Sequence, residues 1–468
     1  MTLKIRTILP RFLLLTYLVT QAAMGQAQSA AQGAVQGTEF VLGNGMKIIV
    51  KEDHRAPTAV HMIWYKVGSI DESNGTTGVA HALEHMMFKG TKVHKVGDFS
   101  RLVAKLGGRE NAFTNRDYTA YFQQVEQSNL EAVMALEADR MRNLQFDKSE
   151  FAKEIRVVME ERRWRTDDQP QGLLNEALAA SAFVAHPYHH PVIGWMDDLQ
   201  QMTLADVASW YQRWYAPNNA TMVVTGDVSA AKVLVLAQKY FGSILARPII
   251  RGKPQNEPDQ HGTRRVIVKT PAENPYVVLA FKVPTLRDVE KDNDVYALDV
   301  LAAVLDGYDN ARLNESLVRT GKIASSVSAG YDDFTRGPTL FALEGSPVSG
   351  VTVAQLEAAL RAEVARIASD GVSQQELQRV KTQLIASQVY KRDSIFGQAM
   401  EIGVMEMAGI SYKNADRIVE KLKSVTSDQI QAVARKYFGD DALTVATLLP
   451  LPLSTAPKRF APLPGMLR

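Results

Sequence analysis

Residues 68–91 read GSIDESNGTTGVAHALEHMMFKGT and contain the pattern H-x-x-E-H at His81, Glu84 and His85. On a helix, positions four apart lie on one face, so both imidazoles can reach one metal ion. Glu84 precedes the second His by one residue and projects close to the same face. A carboxylate there can take a proton from a water molecule at the metal.

Two His ligands need a third protein group to make a catalytic zinc site. The chain has no Cys, so that group is a carboxylate or another His. Residues 151–170, FAKEIRVVMEERRWRTDDQP, read as a helix carrying Glu154, Glu160 and Glu161. Glu154 and Glu161 are two turns apart on one face, with Val158 between them. Glu160 points elsewhere, towards Arg156 and Trp164. A carboxylate pair on a partly apolar stripe calls for a cationic partner, which a metal ion would provide. His186, His189 and His190, in HPYHHPVIGWMDDL, are further ligand candidates, although the flanking prolines favour a loop. His54, His61, His94 and His261 read as surface or satisfied core groups.

The whole chain bounds these readings. Its 468 residues allow two to four domains, and 46% apolar with 22% charged residues is an ordinary globular balance. A net charge of +2 lacks the basic excess expected of a nucleic-acid binder. Absence of Cys excludes disulfides, thiolate zinc ribbons, iron–sulfur ligation and a thiol nucleophile.

Residues 1–25 have a basic start and a short apolar run from Phe12 to Val19, followed by small residues. This is the layout of a secretory signal peptide. Lys4, Arg6 and Arg11 are its only charges, so its removal turns the balance from +2 to −1. An exported chain is expected, periplasmic if the source is a Gram-negative bacterium, with no membrane span after the leader is cut. Residues 26–37 read as a flexible tether.

Beyond the tether, two similar halves are expected: 38–245 and 263–455, joined by a Pro- and Gly-rich linker at 246–262 and followed by a tail at 456–468. A local self-match supports duplication. Thr203 starts a helix that ends at Trp214–Tyr215, and Thr221 starts a strand. At a constant offset Thr426 starts a helix ending at Tyr437–Phe438, and Thr444 starts a strand. The expected fold class is α+β: two homologous domains, each a mixed, mainly antiparallel sheet packed with helices.

Gly68, Ser69, Glu72, Gly78, Ala80, His81, Leu83 to His85 and Phe88 to Thr91 together resemble the pitrilysin/insulinase family of inverted-motif zinc peptidases. The likeness is to its short bacterial and mitochondrial-processing-peptidase-like branch and covers nearly the whole mature chain. It implies one Zn²⁺ held by His81, His85 and Glu161, with Glu161 at the family's usual distance after the second His. It implies Glu84 as general base and Glu154 as the additional acidic residue that supports the site. NAFTNRDYTAYF (111–122) resembles the family's substrate-edge strand, which makes Asn111, Ala112 and Phe113 the substrate-binding candidates. LDVLAAVLDGYDNARLNESL (298–317) resembles the matching part of the second half, with Arg312 in its expected place. No second H-x-x-E-H occurs there, as expected for a non-catalytic domain.

One departure stands out. The family pattern carries an Arg and a Tyr, seven apart, just after that segment, to bind substrate and stabilise the transition state. Aligned through Ala324–Val327, those positions hold Val318 and Ser325, and Arg319 is adjacent but faces another way. The resemblance therefore implies the zinc-bearing chain of a divided enzyme, two domains forming half of a clam-like chamber. The expected activity is endopeptidase cleavage of extended peptides or small unfolded proteins. The expected partner is a homologous subunit supplying Arg and Tyr, as a heterodimer or, second, a homodimer. The alternative is a zinc-containing peptide-binding or scaffolding subunit with little activity of its own.

Overall fold

The computed structural model describes residues 37–453. The expected leader, nearly all of the tether and the tail lie outside the described residues. Two mixed sheets organise the chain. The first contains β1 (Thr38–Val41), β2 (Lys47–Glu52), β3 (Thr58–Tyr65), β4 (Arg109–Thr114), β5 (Thr119–Glu126) and β6 (Ala220–Gly226), in the order β1-β2-β6-β3-β5-β4. The second contains β7 (Arg264–Pro271), β8 (Tyr276–Val283), β9 (Ala324–Tyr331), β10 (Thr339–Pro347) and β11 (Leu443–Leu451), in the order β7-β11-β8-β10-β9.

Without β1, the two orders are the same: first strand, last, second, fourth, third. β2 runs parallel to β6, and β7 parallel to β11; every other pairing is antiparallel. The self-match falls on equivalent elements. Thr203 and Thr426 each build a capping box, with Asp206 and Gln429 respectively, and each helix leads through a short turn into the inserted last strand. Between Phe241 and Arg264 no regular element occurs.

Each half lends a helix to the other's sheet. One face of the first sheet packs on that half's own helices in a large apolar core that includes Ile63, Tyr65, Leu83, Met134 and Trp214. The opposite face receives the helix Ile395–Ala408 from the second half. There Gly403 lies flat on Trp64: an added Cβ would meet the indole at 2.0 Å. Phe122 meets Phe396 edge-on at 4.8 Å, and Thr225 Oγ1 donates to the Ile395 carbonyl at 2.7 Å. In return, Leu174 and Leu178 of the helix Pro170–Ala182 pack on Val278, Ala280, Ala446 and Leu448 of the second sheet. This exchange explains why β3 and β6 read as near-continuous apolar runs: every residue except Thr58 is buried, because both faces are covered.

Polar ties reinforce the junction. Arg336 forms a two-point ion pair with Asp71 (2.7 and 3.0 Å), and its backbone N–H donates to Asp117 at 2.9 Å. Lys47 pairs with Glu406 at 2.8 Å. Glu257, in the irregular stretch before β7, accepts the backbone N–H groups of Val184, Ala185 and His186, and pairs with Lys282 at 2.9 Å.

Candidate metal centre

The helix Val79–Met86 presents His81 and His85 side by side, with ring centroids 4.8 Å apart. Two devices place its start. Gly78 takes a positive φ of 85°, and any Cβ there would meet the Ile193 carbonyl oxygen at 2.5 Å. The buried Glu72 carboxyl group accepts the N–H groups of Gly78 (2.9 Å) and Ala80 (2.8 Å), capping the start of the helix, while burial outweighs these bonds and raises the group to about 8.

The helix Lys148–Arg162 crosses this face and brings Glu161 to the imidazoles. Glu161 Oε2 lies 3.8 Å from His81 Nε2 and 3.3 Å from His85 Nε2. Ligand atoms of the three side chains all lie within 4.8 Å of one another, and no other such group of His, Asp and Glu occurs among the described residues. Glu154, two turns earlier, approaches His85 Nδ1 at 3.3 Å and takes Lys89 Nζ at 2.7 Å. Arg165, in the wider π turn that follows the helix, meets the other Glu161 oxygen at 2.7 Å. Glu160 lies away from the centre, paired with Arg163.

Glu84 sits beside the cluster and accepts a hydrogen bond from Thr114 Oγ1 at 2.6 Å. Thr114 is the last residue of β4, and β4 is the edge of its sheet. Asn111, Ala112 and Phe113 all lie on this edge strand. Ala112 packs against the core on the helix side, while the Phe113 ring lies 5.6 Å from Trp64, on the side of the sheet that faces the second half.

The electrostatics suit a cation. Burial pushes the His81 imidazole down to about 3, so it is neutral, as a metal ligand must be. Burial also works against charge on His85, but hydrogen bonds to Glu154 and Glu161 outweigh it and raise it to about 9, so the two carboxylates hold a proton on His85 that a metal ion would have to displace. Glu161 is opposed by burial yet held down to about 2 by His85, His81 and Arg165. Burial raises Glu84, with Thr114 and His85 pulling the other way. The donor set tests well for zinc. Two imidazoles and a carboxylate are a common catalytic combination, and Nε2 of both imidazoles faces the same Glu161 oxygen, at 3.8 and 3.3 Å.

The three remaining His candidates do not join the centre. His186 Nδ1 accepts the Tyr188 N–H at 3.2 Å, His189 Nδ1 contacts the His186 carbonyl at 2.9 Å, and His190 is buried 3.9 Å from Glu72. In the second half, Arg312 pairs at two points with Glu376, both at 2.7 Å. Val318 falls in a π turn, Ser325 Oγ donates to the Ser346 carbonyl at 3.2 Å, and Arg319 is exposed.

Lys89, Arg165 and Thr114 were missed by sequence reasoning. The first two carried a signal. Lys89 is one turn beyond His85, and Arg165 one turn beyond Glu161, so each shares a face with a proposed ligand. Thr114 carried none, because its partner is thirty residues away.

Residues 47–194 match the family described as Insulinase (Peptidase family M16), and residues 201–384 match Peptidase M16 inactive domain. A relative named Zinc protease PqqE, from Helicobacter pylori, is 33% identical over 449 residues, covering 92% of this chain and 96% of that protein. Another, named zinc protease YmxG, from Bacillus subtilis, is 25% identical over 403 residues, covering 86% and 96%. Among solved structures, a protease from Helicobacter pylori superposes with a TM-score of 0.84 at 30% identity, covering 89% of this chain and 99% of that one. The periplasmic protease PqqL from Escherichia coli shares the fold, with a TM-score of 0.76 at 20% identity. It covers 90% of this chain and 49% of PqqL. The chain belongs to the insulinase family of zinc peptidases, and its two-domain α+β fold is the fold of that family.

Proposed function

We propose that the chain is a zinc metalloendopeptidase acting on extended peptides or small unfolded proteins, assisted by a homologous partner subunit. One observation carries the reading: Glu84 stands beside the His81, His85 and Glu161 cluster and is hydrogen-bonded to the end of an edge strand. Zinc held by these three side chains would supply a Lewis acid that polarises a carbonyl and acidifies water. Glu84 takes the proton of the attacking water at its carboxylate and returns it to the leaving amine. Glu154 and Arg165 orient His85 and Glu161. The free edge of β4 adds the peptide as a further strand through main-chain hydrogen bonds at Asn111, Ala112 and Phe113.

Val318 and Ser325 cannot supply a cation and a phenol to a developing oxyanion. A homologous chain supplies them, in a heterodimer or, second, a homodimer, and the two pairs of domains enclose the peptide. The N-terminal 25 residues direct export, to the periplasm in a Gram-negative source. The neighbour PqqL is itself a periplasmic protease, and no helix among the described residues is long and apolar enough to cross a membrane.

The same two residues favour a second reading, a zinc-containing peptide-binding subunit that hydrolyses little. A quenched fluorescent peptide assayed with the chain alone, the candidate partner alone and the mixture separates them. Divided labour gives turnover only on mixing; no turnover in any arm, with zinc bound, favours the binding subunit.

A further inference from the structure

The end of β4 is fixed more firmly than an edge strand requires. Thr114 pairs with Thr119 across the mouth of the β4–β5 hairpin, and Thr119 Oγ1 is anchored on the Val67 carbonyl at 3.1 Å. The Asn115 side chain accepts the N–H groups of Asp117 (2.8 Å) and Tyr118 (2.9 Å), closing the turn. The turn is then joined to residues 68–70. Ser69 N–H donates to the Asn115 carbonyl at 3.2 Å and Ile70 N–H to the Arg116 carbonyl at 2.8 Å. Gly68 has no room for a Cβ, which would meet the Asn115 carbonyl oxygen at 2.5 Å. Two residues further on, Glu72 caps the helix that carries His81, Glu84 and His85. The edge strand and this helix therefore belong to one closed frame, and the 2.6 Å Thr114–Glu84 hydrogen bond is its second closure.

We infer that Thr114 is the positioning residue that sets the Glu84 carboxylate relative to a peptide lying along β4. The inference rests on the peptidase reading above. A β-branched side chain on a strand has few χ1 choices, so the hydroxyl is a donor in a fixed place. A hydroxyl–carboxylate bond of this length is among the strong ones and selects one carboxylate orientation. It occupies Oε2 and leaves Oε1 as the oxygen that meets the water proton. Because β4 also sets the register of the added peptide, strand and base keep one relative position when substrate arrives.

The test compares Thr114→Val, which keeps the shape and loses the hydroxyl, with Thr114→Ser, which keeps the hydroxyl. Both are made in the full chain and assayed with the partner. Thr114→Val lowers kcat about 10- to 100-fold, since small misplacements of a reacting group cost this much. KM stays within about twofold and bound zinc is unchanged, while Thr114→Ser returns to within about threefold of the parent. A second measurement needs no turnover: the urea midpoints of metal-free parent, Thr114→Val, Glu84→Ala and the double variant. The shifts are expected to be non-additive. Parental kcat in Thr114→Val, Thr114→Ser as impaired as Thr114→Val, or additive shifts would overturn the inference. A parent without turnover alone or mixed overturns the peptidase reading instead, and the midpoint cycle then decides on the Thr114–Glu84 link by itself.

Discussion

Glu154 Oε2 lies 3.3 Å from Nδ1 of His85, and its other oxygen takes Lys89 Nζ at 2.7 Å. The carboxylate is thus fixed from one side and orients an imidazole on the other, leaving His85 Nε2 available to the metal ion proposed above. Glu154→Gln is predicted to weaken zinc affinity about 10- to 100-fold, as loss of such a supporting carboxylate does at other zinc sites. Competition against a chelator measures this. Unchanged affinity would remove Glu154 from the centre.

How much of this was legible in the sequence depends on the range of each interaction. Glu154 and Glu161 could be read from helical spacing, and the duplication from two helix–strand units that turned out to start with capping boxes at Thr203 and Thr426. The exchange of helices could not. The segment Ile395–Ala408 is apolar on most sides, so periodicity says it is buried without saying by what. Its contact with Trp64 depends on Gly403, which looks in sequence like a weak point of a helix. Glu72 was visible only as part of a family pattern. Its capping role appears once the loop between it and Gly78 folds back.

Gly403 gives the second prediction. Gly403→Ala places a methyl group where Trp64 already stands, and overpacking of this kind costs about 1–3 kcal/mol. Gly439→Ala is the control, because nothing lies within 4 Å of a Cβ there. Urea unfolding monitored by tryptophan fluorescence should separate them. Equal midpoints would mean that the junction between the halves is looser than described.

Acid is predicted to remove the stabilising contribution of Glu257. Burial opposes charge on Glu257, but Lys282 and the N–H groups of Val184, Ala185 and His186 win and hold it down to about 2, from an ordinary 4.5. A depressed carboxylate contributes stability that is present above its unfolded value and lost as pH falls towards its folded value. At pH 7, Glu257→Gln is therefore predicted to be less stable by about 2 kcal/mol, the scale of charged hydrogen bonds. The gap closes as pH falls from about 4.5 to about 2. Urea midpoints at pH 7 and pH 3 check this; a gap that does not change with pH would contradict it.

The central claim is that zinc on His81, His85 and Glu161 works with Glu84 as base. Its most direct test measures bound zinc and peptide turnover together, for the parent chain and Glu84→Gln, each mixed with the partner. The prediction is one zinc per chain in both, turnover in the parent, and a loss of at least about 100-fold in Glu84→Gln, the scale of general-base catalysis. Parental turnover in Glu84→Gln, or a parent that turns over peptide without zinc, would contradict it.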